Sequence, residues 1–270
     1  MLNAPGRTGG VGRASLRGLD AATRALLGAF TTPASPTFAY RADMAIRRLM
    51  GAGLWAKIDA LGVLAAETAQ AARVDWRAPT RVGTLIDAPT FTAGQGYAFD
   101  GSNDAIDTGF VPSTHKIAMT GTSMLLGVYE RTDVGATTRA AGAYTGAAQN
   151  LIVTPRSGAG MISGALNSGQ TGLGAVADSR GLTVIETDGT NGRAVKNGAP
   201  GTPAALTTPG SSLPTHSIWL GGYNNAGSLG QARASQLALW VAGSRWSDAE
   251  HLAFHEIMVT GLLAQIGASV

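Results

Sequence analysis

The chain has 270 residues, no cysteine and a formal net charge of +3, which excludes disulfide stapling and Cys-ligated zinc and leaves core packing and assembly to supply stability. Glycine accounts for 38 residues, about twice its usual ~7% share, while 44% of the chain is apolar; this composition suits many tight turns around a sizeable core, not a disordered polymer. No run of about 18 apolar residues occurs and the N-terminus lacks the apolar stretch of a secretory signal, so neither membrane insertion nor Sec export is expected.

Residues 1–17 are rich in Gly and Arg, and within residues 1–48 seven arginines face only Asp20 and Asp43. A segment of this kind takes a fixed shape only against a partner. Residues 1–40 therefore read as a basic anchoring arm, with Arg7, Arg13, Arg17 and Arg24 set to meet carboxylates of neighbouring chains. The arginines stand singly and without interleaved aromatics, which argues against nucleic acid as that partner. Residues 19–30 predict a short amphipathic helix whose apolar face would dock on the same surface, and residues 31–36 a breaker.

In residues 41–79 Ile46, Met50, Leu54, Ile58 and Leu61 recur at helical spacing, with Leu49 and Trp55 alongside. A helix packed on the main domain is expected, weakened by Gly51 and Gly53, with Gly62 dividing it from a further helical piece near residues 65–72. From about Thr80 the period becomes two. Residues 123–131, 182–187, 217–220 and 236–241 predict short strands, and Asp188-Gly189, Asn191-Gly192 and Asn197-Gly198 supply hairpin chemistry. Residues 80–243 thus predict a mainly antiparallel two-sheet β-sandwich. Residues 244–270 predict a closing helix, capped by Ser247 with Glu250 three positions on and stopped at Gly267, packed on the sandwich or a neighbour.

Three segments in order resemble the laminin-G-like, concanavalin A-like jelly rolls. They are residues 96–107 (Gly96-Tyr97-Ala98-Phe99-Asp100-Gly101 through Asp107), Ala194-Val195-Lys196-Asn197-Gly198, and Trp219-Leu220-Gly221-Gly222-Tyr223. The strand at 236–241 followed by Ser247-Asp248-Ala249-Glu250 is similar to that family's ending. Upstream, Gly53-Leu54-Trp55-Ala56-Lys57-Ile58-Asp59-Ala60-Leu61 and then Ala88-Pro89-Thr90-Phe91 through Tyr97 resemble a helix-then-sandwich arrangement of phage virion proteins of the fibre, spike and decoration type. The resemblance implies a non-enzymatic virion component, assembled in the host cytoplasm with other virion proteins as a homo-oligomer, a trimer being one form, and displaying a lectin-like sandwich for attachment to the host surface; a carbohydrate-binding module is the alternative reading, and a glycoside hydrolase the third.

Several constellations bear on chemistry. Glycosidases of this fold carry Glu-x-Asp-x-Glu on one strand face; Glu186-Thr187-Asp188 begins that pattern, but position 190 is Thr, and Glu130 with Asp133 has the wrong spacing. Both are expected to be solvated strand ends, so no catalytic residue is assigned. Asp100, Asn103, Asp104 and Asp107 crowd a glycine-containing turn with hard oxygens and are the candidate calcium ligands, turn formation being the alternative. His251 and His255 stand four apart, as zinc sites require, but without a third ligand they read as an exposed helix face. Trp219 and Trp240 read as core. Tyr223, Asn224 and Asn225, at a predicted loop, are the candidate ligand-binding residues.

Overall fold

The computed structural model describes residues 18–268, so Arg7, Arg13 and Arg17 lie outside the described residues. The chain is mainly β, with two nine-stranded sheets. In spatial order the first sheet runs Ala199–Pro200, Asn191–Lys196, Gly181–Thr187, Met124–Glu130, Gln236–Gly243, Gly96–Ala98 and Thr90–Thr92. Ile58–Val63 shares one edge of Gln236–Gly243 with Gly96–Ala98, and Ala204–Ala205 pairs with Asn191–Lys196. The second sheet runs Thr171–Ala175, Met161–Leu166, Gln149–Thr154, Ala141–Gly146, Trp219–Leu220, Ala105–Asp107 and Thr84–Ile86. To it the hairpin of Tyr223–Asn225 and Ser228–Gly230 adds, through a parallel pairing with Ala141–Gly146. All other strand pairings among the described residues are antiparallel.

The central strands of the first sheet are buried along their whole length, because both faces are covered. The second sheet closes on one face, where Ile185 reaches over Gly164 and Leu166 and Leu173 close over Gly192. The C-terminal helix crosses the other, setting His251 on Glu186 and Asp248 on Arg193. A strand covered on both sides reads as a continuous apolar run with no alternation, as in Met124-Leu125-Leu126-Gly127-Val128-Tyr129.

That loss of alternation explains the main departure from the sequence reading. The helical stripe through Leu61 divides in the structure: Pro36–Gly51 is an α-helix, Leu54–Lys57 a 3-10 turn, and Ile58–Val63 a fully buried β-strand. Gly53, at φ +72°, turns the chain out of the helix. Gly62 is not a divider between helices but the cross-strand partner of Trp240, and a methyl group there would lie 2.0 Å from the indole Nε1. Residues 65–72 contribute only the short Ala71–Arg73 3-10 turn. A boundary at residue 40 would cut the Pro36–Gly51 helix in two.

The first helix, Ala21–Gly28, also serves this chain instead of a partner. Leu26, Leu27 and Phe30 are buried in its own core, and Arg24 donates to the Leu19 carbonyl from an exposed position. Among the hairpin signals, Asp188-Gly189 turns Gly181–Thr187 into Asn191–Lys196, and Asn197-Gly198 turns the latter into Ala199–Pro200. Asn191-Gly192 lies within a strand instead, since Gly192 is needed flat beneath Leu166, Leu173 and Leu206. At the C-terminus Ser247 and Glu250 form the full capping box, and the helix of Asp248–Phe254 continues as a π-helical stretch, His255–Leu263, to a left-handed Gly267.

The N-terminal helices are therefore part of the folding unit. Phe38 is 3% exposed and contacts Phe30 at 6.2 Å and, edge-on, Trp76 at 6.5 Å. Replacing Phe38 with Ala is expected to lower unfolding stability by about 3–5 kcal/mol, measured by urea denaturation; a loss below about 1 kcal/mol would show that residues 18–40 are dispensable.

Candidate binding cleft

A single ion pair organises the loops around the second sheet. Glu130, at the end of a central strand, and Arg233 are both fully buried, and the guanidinium grips the carboxylate with Nε at 2.6 Å from Oε1 and Nη2 at 3.0 Å from Oε2. The remaining donors of Arg233 reach the carbonyls of Val134, Ala136, Thr138 and Arg156 at 2.7–3.3 Å. One side chain thereby fixes the path of residues 131–139. The backbone amide of Arg139 then donates to the Gln231 carbonyl at 2.9 Å.

That path delivers Arg139 onto the outer face of the second sheet. Its Nη1 donates to Thr154 Oγ1 at 2.7 Å and its Nη2 to Gln170 Oε1 at 2.5 Å; Gln170 in turn donates to Ser163 Oγ at 2.9 Å. Around it opens a cleft of about 270 Å³ whose lining includes Tyr144, Tyr223, Gln170 and Gln231, with Ile152 and Ala165 among its apolar residues. The two tyrosine rings meet edge-on at 6.3 Å. Tyr223 lies over its cross-strand partner Gly230, where a methyl group would stand 2.4 Å from the ring, so that glycine sets the orientation of the aromatic wall. Among the described residues no acidic side chain lines the cleft.

The ligand residues expected from sequence at a loop form instead the strand Tyr223–Asn225, paired with Ser228–Gly230, and of the three Tyr223 lines this cleft. Asn224 is 4% exposed and turned inward, donating from Nδ2 to the Ser217 carbonyl at 3.1 Å and accepting from the Gly227 amide at 2.7 Å. Asn225 is exposed and is not among the cleft residues. The turn at Asp100 is an Asx turn: its Oδ1 accepts from the amides of Ser102, Asn103 and Asp104, and these bonds hold its carboxyl below the ordinary range, the Ser102 amide contributing most. Asp104 accepts from the Ala88 and Asp100 amides, Asn103 donates to Asp87, and Asp107 accepts from the Gly109 amide. The four candidate calcium ligands thus bond different stretches of backbone and side chain. Among the described residues no group of three or more His, Asp or Glu is arranged to hold a metal ion.

Glu186 and Glu130 are not the solvated strand ends expected, because each is fully buried and paired. Glu186 meets Arg193 at 2.6 Å, Arg245 at 3.3 Å, the Trp246 amide at 3.1 Å and His251 Nε2 at 2.8 Å. His251 is correspondingly 2% exposed, not on an open helix face. Its Nε2 carries the hydrogen, since an ionised carboxylate only accepts. These contacts fasten the C-terminal helix to the sheet.

The cleft residues besides Tyr223 escaped the sequence reading. Arg139 follows Gly135-Ala136-Thr137-Thr138, a loop with no motif, and a cationic side chain set among small residues just before a strand is the faint signal it offered.

No protein-family model matches the chain, and no curated protein matches it in sequence. Solved structures do match in shape. The Trypanosoma rangeli sialidase in complex with the inhibitor DANA superposes with a TM-score of 0.52 at 11% identity, covering 81% of this chain and 38% of that one. The botulinum neurotoxin serotype D binding domain superposes with a TM-score of 0.51 at 10% identity, covering 76% of this chain and 52% of that one. This chain spans well under two thirds of either, and the likeness establishes the β-sandwich fold.

Two outcomes follow from the buried carboxylates. Glu130→Ala strands the Arg233 charge and is expected to lower stability by about 3–5 kcal/mol, read by chemical denaturation. For Glu186, burial pushes the carboxyl up, but His251, the Trp246 amide and Arg193 outweigh it and hold the folded pKa below the ordinary value. A depressed carboxyl contributes stability above its unfolded pKa of about 4.3 and loses it as pH falls through the folded value. Between roughly pH 5 and pH 3 the unfolding free energy of wild type is expected to fall more steeply than that of Glu186→Gln; equal slopes would remove Glu186 from the acid response.

Proposed function

We propose that this protein is a non-enzymatic, glycan-binding β-sandwich. The observation that carries the reading is the cleft on the outer face of the second sheet, where two tyrosine rings stand beside a guanidinium and side-chain amides. Aromatic faces take the apolar faces of sugar rings, while amides and guanidinium satisfy hydroxyl groups. A binding role is further supported by the two strand glutamates, Glu130 and Glu186, both locked into buried ion pairs and so withheld from acid–base work.

The setting we propose is a phage particle, with the protein as a fibre, spike or decoration component assembled in the host cytoplasm with other virion proteins, as a homo-oligomer. It rests on the resemblance of residues 53–61 and 88–97 to such proteins. Residues 1–17, with Arg7, Arg13 and Arg17, serve as the anchor, and the cleft faces the host surface. Calcium at Asp100 and its neighbours stays a proposal of lower rank, since their oxygens already accept backbone amides.

Screening the purified protein on a glycan array is expected to give saturable binding, weakened about tenfold or more by Tyr223→Ala; binding unaffected by that substitution would move the ligand elsewhere. Release of reducing sugar, abolished by Glu186→Gln, would overturn the non-enzymatic assignment. In particle assembly, a chain lacking residues 1–17 is expected to fold yet fail to incorporate; incorporation at normal occupancy would refute the anchor.

A further inference from the structure

Three arginines are buried in the described part of the protein: Arg139, Arg193 and Arg233. Two of them have a carboxylate partner at 2.6 Å, Glu186 for Arg193 and Glu130 for Arg233. Arg139 is 8% exposed and its hydrogen bonds reach only the neutral oxygens of Thr154 and Gln170. Among the described residues no carboxylate lies within ion-pairing distance of it, and its Nε is buried without any hydrogen-bond acceptor. A guanidinium does not escape this by losing its proton. A desolvated cation without a counter-ion is strongly unfavourable, and this one sits at the cleft.

We propose that the ligand of the cleft is an acidic glycan, whose sugar carboxylate pairs with Arg139. The inference rests on the glycan-binding reading above and specifies its substrate class. Each Nη carries two hydrogens and has one protein acceptor, at Thr154 and at Gln170, so one N–H on each is free. A carboxylate, which is planar and carries a full negative charge, is the acceptor group that a guanidinium pairs with most strongly. Thr154 and Gln170, the latter held by Ser163, fix the fork in place before the ligand arrives, which reduces the ordering cost of binding. Tyr144 and Tyr223 stand at the same cleft to take the face of the sugar ring. A volume of about 270 Å³ lies just below the usual range for small-molecule sites and suits a terminal sugar residue. Among the described residues no acidic side chain stands in the lining to repel an anion.

The test uses calorimetric titration of the full chain with trigalacturonate and sialyllactose, the same sugars after reduction of their carboxyl groups to alcohols, and a sulfated neutral oligosaccharide. At least one carboxylated sugar is expected to bind, with affinity falling about tenfold to a hundredfold on carboxyl reduction and weakening as salt is raised. Arg139→Gln is expected to bring the acidic sugar down to the level of its reduced form, and Arg139→Lys to recover part of the loss. Should Arg139→Gln fail to fold, the comparison of acidic and reduced sugars on the wild-type chain decides alone. Equal affinity for acidic and reduced sugars overturns the proposal while leaving the glycan reading intact. Binding of the sulfated sugar alone overturns the choice of carboxylate. Absence of binding to every sugar, acidic or neutral, here and on the array overturns both.

Discussion

The pairing of Glu130 with Arg233 is the constraint on which the rest of the candidate cleft depends. A guanidinium has five donors, and burial leaves none of them water to bond. Two meet the carboxylate, and the others gather carbonyls from residues 134–138 and 156. The ion pair therefore does more than stabilise. It folds an irregular segment that has no ladder of its own, and that segment ends at Arg139. Its position on the sheet is a consequence of where Glu130 ends its strand, since Glu130 is the partner of Leu237 and Gly181 in the first sheet. Information passes from the register of one sheet to the outer face of the other through a single side chain.

A parallel device operates on the opposite side. Glu186, on the strand next to that of Glu130, collects His251, Arg193, Arg245 and the Trp246 amide. Trp246 then packs against Phe254 at 4.7 Å, so an electrostatic anchor and an apolar one hold the same helix. In both cases a buried carboxylate has become a structural node, and desolvation makes each bond to it count for more than at the surface. The same logic leaves Arg139 conspicuous, since it has the burial of a node without the carboxylate.

Local chemistry carried much of the fold in the sequence. The strands at 124–130, 181–187 and 236–243, the hairpin turns at Asp188-Gly189 and Asn197-Gly198, and the Ser247/Glu250 capping box all follow from propensities that act within a few residues. What local chemistry did not carry was anything decided across the molecule. Ile58–Val63 extended a helical spacing by coincidence, and only its burial beside Trp240 makes it a strand. Glu186 and His251 are 65 residues apart and Glu130 and Arg233 are 103 apart, so neither pair leaves a spacing to recognise. Tyr223 was legible as an aromatic residue just after Gly221-Gly222, although it stands in a short strand and not in the loop expected; Arg139 was not, since a loop arginine looks like solvated surface until the fold buries it, and Gln170, which stays exposed, carries no signal of its own.

A β-sandwich hosts many unrelated roles, so the fold alone decides little about function. The charge balance of the cleft decides more. The fold could have matched Arg139 with an acid, as it matched Arg193 and Arg233, since the lining offers positions such as Ala147, Ala165 and Gly169 close to the guanidinium's cleft. It instead surrounds the cation with neutral amides, hydroxyls and rings. That composition keeps the charge fixed and unneutralised, and under the acidic-glycan proposal it discriminates against neutral ligands: they would leave the cation desolvated and unpaired, whereas an anion would relieve it. Selectivity of this kind comes from the cost of the wrong ligand as much as from contacts with the right one.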